Sequence, residues 1–304
     1  MGEDAVMTVF GVHAGLQKIP LDELRTFWRR VEDMGFGWIS VWDHFYAADM
    51  TGDAECLEAV ATHAALAVDT TKVRVGSLVY SVGYRHPAVL AKAITTIDHL
   101  SNGRVDVGIG AGWSQLEYDA YGIPFPSTKT RMDQLEEGIQ VLKGLLHQET
   151  TTFHGEHFQV TDARNEPRPV QRRIPVWIGG GGEKRTLKIA ARHADAWNVP
   201  FIAPDEFARK RAVLHEHCER ENRNPDEIRC AINVGLSWHD DDLELQFGAM
   251  KSYVLPGVLR GSEQEIVDKI GRYVDAGADQ VNIATRAPFD ADALERLAKL
   301  LHLS

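Results

Sequence analysis

Three short stretches carry residue types that could do chemistry together. The first is Trp38-Ile-Ser-Val-Trp-Asp-His-Phe45, where an apolar run ends in an acid and an imidazole, Asp43 and His44. Histidine changes charge near neutral pH, and a neighbouring carboxylate can tune it, so the pair suits general acid–base work. A polar loop or a capping pair would leave the same dipeptide. The second stretch is Gly179-Gly-Gly-Gly182, four glycines between a strand pattern and a helix pattern. Such a turn lets backbone N–H groups approach an anion at the positive end of a helix. A flexible connection is the competing reading, and Glu183 would repel a phosphate if it faced inward. The third is Gly108-Ile-Gly-Ala-Gly112. Its spacing is GxGxG, not the GxGxxG of a dinucleotide fold, and no helix follows at once. Gly110, Ala111 and Gly112 could let a flat ring or phosphate lie on the backbone, or could form a structural turn.

These residues can cooperate only if the elements around them converge. The chain alternates short apolar runs with helical patterns: strands near 7–12, 38–42, 73–80, 105–110, 175–178, 196–198, 228–234 and 280–283. Helices are predicted after Asp22-Glu23, around 55–69, from Pro87 to Leu100, at 130–147, 183–193 and 204–222, around Ile266 to Tyr273, and at the C-terminus. Eight strands alternating with eight helices predict parallel pairing and an α/β fold, a (β/α)₈ TIM barrel occupying residues 1–304 as a single domain. Segments 111–128, 148–174 and 236–262 exceed ordinary connections, as lids or oligomer contacts do.

Active sites of such barrels lie at the C-terminal ends of the strands. The residues expected there are His13 after strand one, Asp43 and His44 after strand two, and Tyr80-Ser81 at the end of strand three. Gly110 to Trp113, the tetraglycine, Trp197-Asn198 and Arg286 follow the later strands. Arg286 admits two readings, a contact to an anionic substrate group or a surface salt bridge, and the sequence favours the second.

Composition bounds the partners. The 304 residues carry 44 Asp and Glu against 33 Lys and Arg, a formal −11. That excess argues against nucleic acid or an anionic membrane surface as the main partner and leaves a small molecule. Three cysteines without a CxxC fit a reducing, cytoplasmic setting. The acidic start is unlike a signal peptide, and no apolar run approaches membrane-spanning length. His154 with His157, and His215 with His217, lack the spacing and third ligand of a zinc site and read as surface residues. A GxSxG elbow and a Walker lysine are both missing, which weakens hydrolase and nucleotidase readings.

Five stretches together resemble the luciferase-like monooxygenase superfamily, in its branch dependent on coenzyme F420, a deazaflavin. They are WISVWDHF (38–45), VGSLVYSVGYRHPAVLAKAITTIDHLSNGRVDVGIGAGW (75–113), YGIPF (121–125), EPRPVQRRIPVWIGGGG (166–182) and ARHADAWNV (191–199). The resemblance runs over nearly the whole chain. It is specific for the superfamily and less so for the cofactor, because flavin and deazaflavin members share most of these residues. It implies a barrel with excursions and a cofactor ring at its mouth. His44 would transfer the proton and Asp43 would orient or polarise it. His13, Ser77, Leu78, Val79, Ser81 and Trp113 would lie around the ring. A cis peptide is implied at Leu78-Val79. Gly110, Ala111 and Gly112 would flank the cofactor tail, and Gly180 to Gly182 its phosphate. A homodimer is the family analogy.

The departures concern substrate. Members that oxidise glucose 6-phosphate carry a glutamate where this chain has Trp113, and lysines for the sugar phosphate without obvious counterparts here. Trp42, Tyr80, Trp113 and Trp197 suggest an aromatic-lined pocket, or else barrel core. The leading expectation is an F420-dependent oxidoreductase that passes hydride to or from an unidentified small organic molecule. An FMN-dependent monooxygenase using O₂ and a non-catalytic barrel that binds a flavin or another ligand are the alternatives.

Overall fold

The computed structural model describes residues 8–239 and 241–303. Met7, where the first strand is predicted to begin, lies outside them. Twelve strands are present among the described residues. They are β1 (Val9–Ala14), β2 (Trp38–Val41), β3 (Arg74–Ser77), β4 (Tyr80–Ser81), β5 (Val107–Gly110), β6 (Thr151–His154), β7 (Gln159–Ala163), β8 (Val176–Gly179), β9 (Ala196–Pro200), β10 (Arg229–Ser237), β11 (Val258–Arg260) and β12 (Gln280–Thr285). The main sheet runs β3-β2-β1-β12-β10-β9-β8-β5-β4, with every pair parallel.

Its two end members are consecutive in the chain. β3 and β4 are one predicted strand interrupted at Leu78 and Val79, whose peptide is cis. β3 pairs with β2, β4 pairs with β5, and a parallel bridge joins Val75 to Val105. The sheet is thereby a nearly closed barrel. Arg104 helps hold this seam. Its guanidinium donates to the carbonyls of Val73 (2.5 Å), Ala67, Thr70 and Ser101 (2.8 Å each).

The helices follow from their apolar spacing. In Leu21–Asp33 the buried residues are Leu24, Phe27, Trp28 and Val31, one stripe at helical period. Pro87 opens Pro87–Leu100 at the position where a missing N–H costs nothing. Ser262 and Glu265 form a reciprocal capping box on Glu263–Asp275. Inside the barrel Trp38 stacks on Trp177 with ring centroids 5.2 Å apart, and the Trp38 indole N–H donates to Asp106 (2.9 Å). Above them lies a polar layer. Asn233 Oδ1 accepts from Asn198 (2.9 Å) and Asn282 (3.1 Å), and Gln280 donates to Asn282 (2.8 Å).

The three long segments have distinct fates. Residues 111–128 hold a short helix, Gln115–Ala120. Residues 148–174 contain the β6–β7 hairpin, whose tip is pinned by Glu137 accepting the N–H groups of Glu156, His157 and Phe158. Residues 236–262 form short helical turns that lead into β11. No helix among the described residues is long and apolar enough to cross a membrane.

Candidate active site

A cavity of about 730 Å³ opens at the C-terminal rim of the barrel. It is lined from eight directions, and both the tetraglycine turn and the Asp43-His44 dipeptide face it. Of the residues singled out in the sequence, His13, Asp43, His44, Leu78, Val79, Ser81, Gly110, Ala111, Gly112, Trp113, Gly180 and Gly181 line this space. Two do not. Ser77 is buried in the wall, where its hydroxyl donates to the Gly108 carbonyl (3.1 Å) and accepts the Gly108 N–H (3.0 Å). Gly182 is exposed beyond the lining. The aromatic group also divides. Trp42 and Trp113 line the cavity, whereas Tyr80 and Trp197 are wholly buried outside it.

Asp43 and His44, adjacent in sequence, have different partners. Asp43 is buried and accepts two hydrogen bonds from Arg85 (2.7 and 3.0 Å) and one from the Ser81 N–H (2.9 Å). It thereby ties the end of β2 to β4. Burial pushes its carboxyl up, while Arg85 and the Ser81 amide oppose that shift. The carboxylate in contact with His44 is instead Glu117, from the excursion after β5. His44 Nδ1 lies 2.7 Å from Glu117 Oε1, and the Tyr84 hydroxyl donates to the other Glu117 oxygen. Glu117 is 2% exposed. A carboxylate only accepts, so Nδ1 carries hydrogen and the lone pair of neutral His44 sits on Nε2. The Trp113 ring meets the His44 imidazole edge-on at 5.3 Å and is itself 54% exposed at the mouth. Sequence reasoning did not single out Glu117. It falls in a long excursion, and no spacing relates it to residue 44.

His13 lies within β1, and its Nδ1 is 2.8 Å from Ser40 Oγ. Burial first, then the charges of Arg286 and His44, lower its pKa to about 3, so it is neutral at physiological pH.

The glycine turns do more than expose backbone. The Val79 side chain rests on Gly108, Gly110 and Gly179, where an added Cβ would come within 3.0, 2.7 and 2.8 Å of its methyls. Gly112 has φ +73°, and a Cβ there would meet Tyr118 Oη at 2.2 Å and Ser81 Oγ at 2.6 Å. At Gly180 the φ of +118° is the constraint, since little crowds it. The Gly180 N–H already donates to the Asn198 carbonyl (2.9 Å), while Gly181 and Gly182 donate to no backbone carbonyl among the described residues. The Trp197 indole N–H anchors the turn through the Gly180 carbonyl (2.8 Å). Lys210 donates to the Gly181 carbonyl (2.9 Å) and adds positive charge on the lining. Glu183 is not part of the lining and pairs with Arg209 and Lys210. A free Gly181 amide beside a lysine, in the turn that precedes the helix Thr186–His193, suits the phosphate of a flavin-type cofactor, and the broad apolar lining suits its ring.

Arg286 departs from the favoured sequence reading. It is 5% exposed, lines the cavity and makes no surface salt bridge among the described residues. Its Nη1 is buried without a hydrogen-bond partner among them. Trp42 and Phe247 flank the guanidinium, 5.2 and 4.9 Å from their ring centroids. Burial lowers its pKa to about 10, which still leaves it charged at neutral pH. Each aromatic face supplies about 0.5–2 kcal/mol, less than the several kcal/mol that burying an unpaired ion costs. The excursion at 236–262 supplies Phe247 and, on the lining, Met250 and Tyr253.

A parallel barrel brings a carboxylate-paired histidine and two glycine turns to one rim cavity, and relatives say which class of protein shares that arrangement. A family model described as luciferase-like monooxygenase matches residues 5–256, so the chain belongs to that family. An uncharacterized protein of Mycobacterium tuberculosis is 38% identical over 128 residues, which is 42% of this chain and 44% of that protein. The chain thus spans less than half the length of that relative. An F420-dependent glucose-6-phosphate dehydrogenase of Amycolatopsis mediterranei is 32% identical over 238 residues, covering 77% of this chain and 71% of that enzyme. Among solved structures, an F420-dependent secondary alcohol dehydrogenase in complex with an F420-acetone adduct superposes with a TM-score of 0.84. Its sequence identity is 20%, and 98% and 99% of the two chains are covered.

Proposed function

We propose that this protein is an oxidoreductase that uses coenzyme F420 to pass hydride to or from a small organic substrate. The observation that carries the reading is the shared cavity: His44, backed by Glu117, faces the same space as the Gly110–Gly112 and Gly180–Gly181 turns. The sequence relationship to an F420-dependent dehydrogenase supports the choice of cofactor. Bound there, the deazaflavin would supply the hydride chemistry. The chain's own residues do the rest. Gly181 and Lys210 would hold the phosphate, and Val79, seated on its glycines, would press on the ring from the β4 side. Glu117 fixes the tautomer of His44, so Nε2 is free to accept a substrate proton or, from the imidazolium, to give one. Asp43 holds the loop through Arg85 and Ser81 rather than moving protons.

The family's monooxygenase description, together with an FMNH(2)-dependent dimethylsulfone monooxygenase of Pseudomonas putida that is 28% identical over 222 residues, makes FMN the competing cofactor. Titration with F420 and with FMN, read through tryptophan fluorescence, tests the choice. F420 is expected to bind at micromolar concentration or tighter and FMN more weakly. Tight binding of FMN alone would reject the proposal. The dimeric state and a cytoplasmic setting belong to the same reading, and sedimentation of the purified protein tests the former.

A further inference from the structure

The reading above leaves one charged group of the cavity without work. We propose that Arg286 receives a carboxylate of the substrate, so that the molecule processed beside His44 is a small monocarboxylic acid with an apolar body. This rests on the cavity being a hydride-transfer site.

Three observations converge on it. First, the guanidinium is buried on the lining with Nη1 unpartnered among the described residues. The acid whose charge it feels, Asp49, is hydrogen-bonded to Lys18 (2.7 Å). A planar fork of donors with an idle arm calls for a planar acceptor. Second, its position is on the substrate side. Trp42 touches Arg286 on one side and meets the His44 ring at 6.0 Å, so one indole separates the guanidinium from the proton-transfer group. Around the rim β12, which leads into Arg286, lies four strands from β5 and three from β8, whose turns would take the cofactor tail. Third, the local charge is single. His13 is neutral, Lys18 is bound to Asp49 and Asp53, and Lys210 sits at the β8 turn. One positive charge between two aromatic faces matches a monoanion better than a phosphate. Phe201, Ile202, Met250, Tyr253 and Ala284 line the same cavity and offer apolar surface for the rest of the molecule.

The test uses 3-phenylpropanoate and its neutral amide as probes, with tryptophan fluorescence as readout, on protein saturated with F420 and on protein without cofactor. The acid is expected to bind about tenfold or more tightly than the amide. Arg286→Gln should abolish that preference, Arg286→Lys should keep part of it, and both should retain F420 affinity within about threefold, because the proposed contact is to the probe alone. An acid-to-amide ratio near one in the unaltered protein overturns the proposal, whether or not either variant folds. So does a variant that loses cofactor affinity while keeping the acid preference, since Arg286 would then serve a cofactor anion. If neither F420 nor FMN binds yet the preference persists and disappears in Arg286→Gln, the cofactor reading fails and the anion site stands.

Discussion

At the scale of single residues, Glu117 is the side chain whose removal separates positioning from chemistry. His44→Ala should reduce turnover about 100-fold or more, the usual worth of a positioned acid–base group, while cofactor affinity changes little. Unchanged turnover would remove His44 from the mechanism. Glu117→Gln keeps the shape of the contact and removes the charge. It should lower kcat and shift the pH–rate profile, because the imidazolium loses its counter-charge. A profile identical to that of the unaltered enzyme would show that Glu117 only fills space. The Asp43-His44 pair was legible in sequence because a polar dipeptide ends an apolar strand. Their division of labour was not. Which carboxylate reaches His44 is decided by how residues 111–128 fold back over the rim, and no local pattern encodes that return. Arg286 was misread toward the surface for the same reason, since nothing in Ala-Thr-Arg-Ala-Pro tells that Phe247, some forty residues earlier, packs against it.

At the scale of elements, the tetraglycine turn depends on Trp197. Its indole donates to the Gly180 carbonyl and its ring stacks near Phe207 at 5.5 Å. Trp197→Phe preserves much of the packing and removes the anchor. It should weaken cofactor binding several-fold by titration while leaving the circular dichroism spectrum unaltered. An unchanged affinity would free the turn from that hydrogen bond. The sequence placed the strands to within a few residues, because their apolar runs end at glycine, proline or polar residues. It read 73–80 as one uninterrupted strand. The break at Leu78-Val79 depends on what lies beneath, the glycines of β5 and β8, and that is visible only once those strands are neighbours.

At the scale of the whole molecule, two buried histidines make stability depend on pH. Burial lowers His13 to about 3 and His63 to about 4, against 6.5 for a free imidazole. The unfolded chain binds these protons first, so the native state loses stability as pH falls below about 6.5. The loss runs at up to about 1.4 kcal/mol per pH unit for each histidine and levels off near its folded pKa. Urea unfolding at pH 7 and pH 5 should record a lower midpoint at pH 5, and His63→Gln should reduce the difference. A midpoint that does not move would refute the assignment. Arg104 acts at the barrel seam, where its four carbonyl contacts bind the Val75–Val105 junction. Arg104→Lys cannot make them all. It should cost about 2–3 kcal/mol of unfolding free energy without altering cofactor affinity.

The valine at position 79 has a further consequence for how this rim can change over time. Its methyl groups occupy sockets contributed by two neighbouring strands, so a larger side chain at 110 or 179 has nowhere to go while that valine stays. Gly179→Ala alone should be poorly tolerated, yet tolerated better alongside Val79→Ala. The floor of the cavity is therefore inherited as a set, and new specificities are more readily acquired on the opposite wall, where residues 247–253 and 286 are free of that mutual constraint.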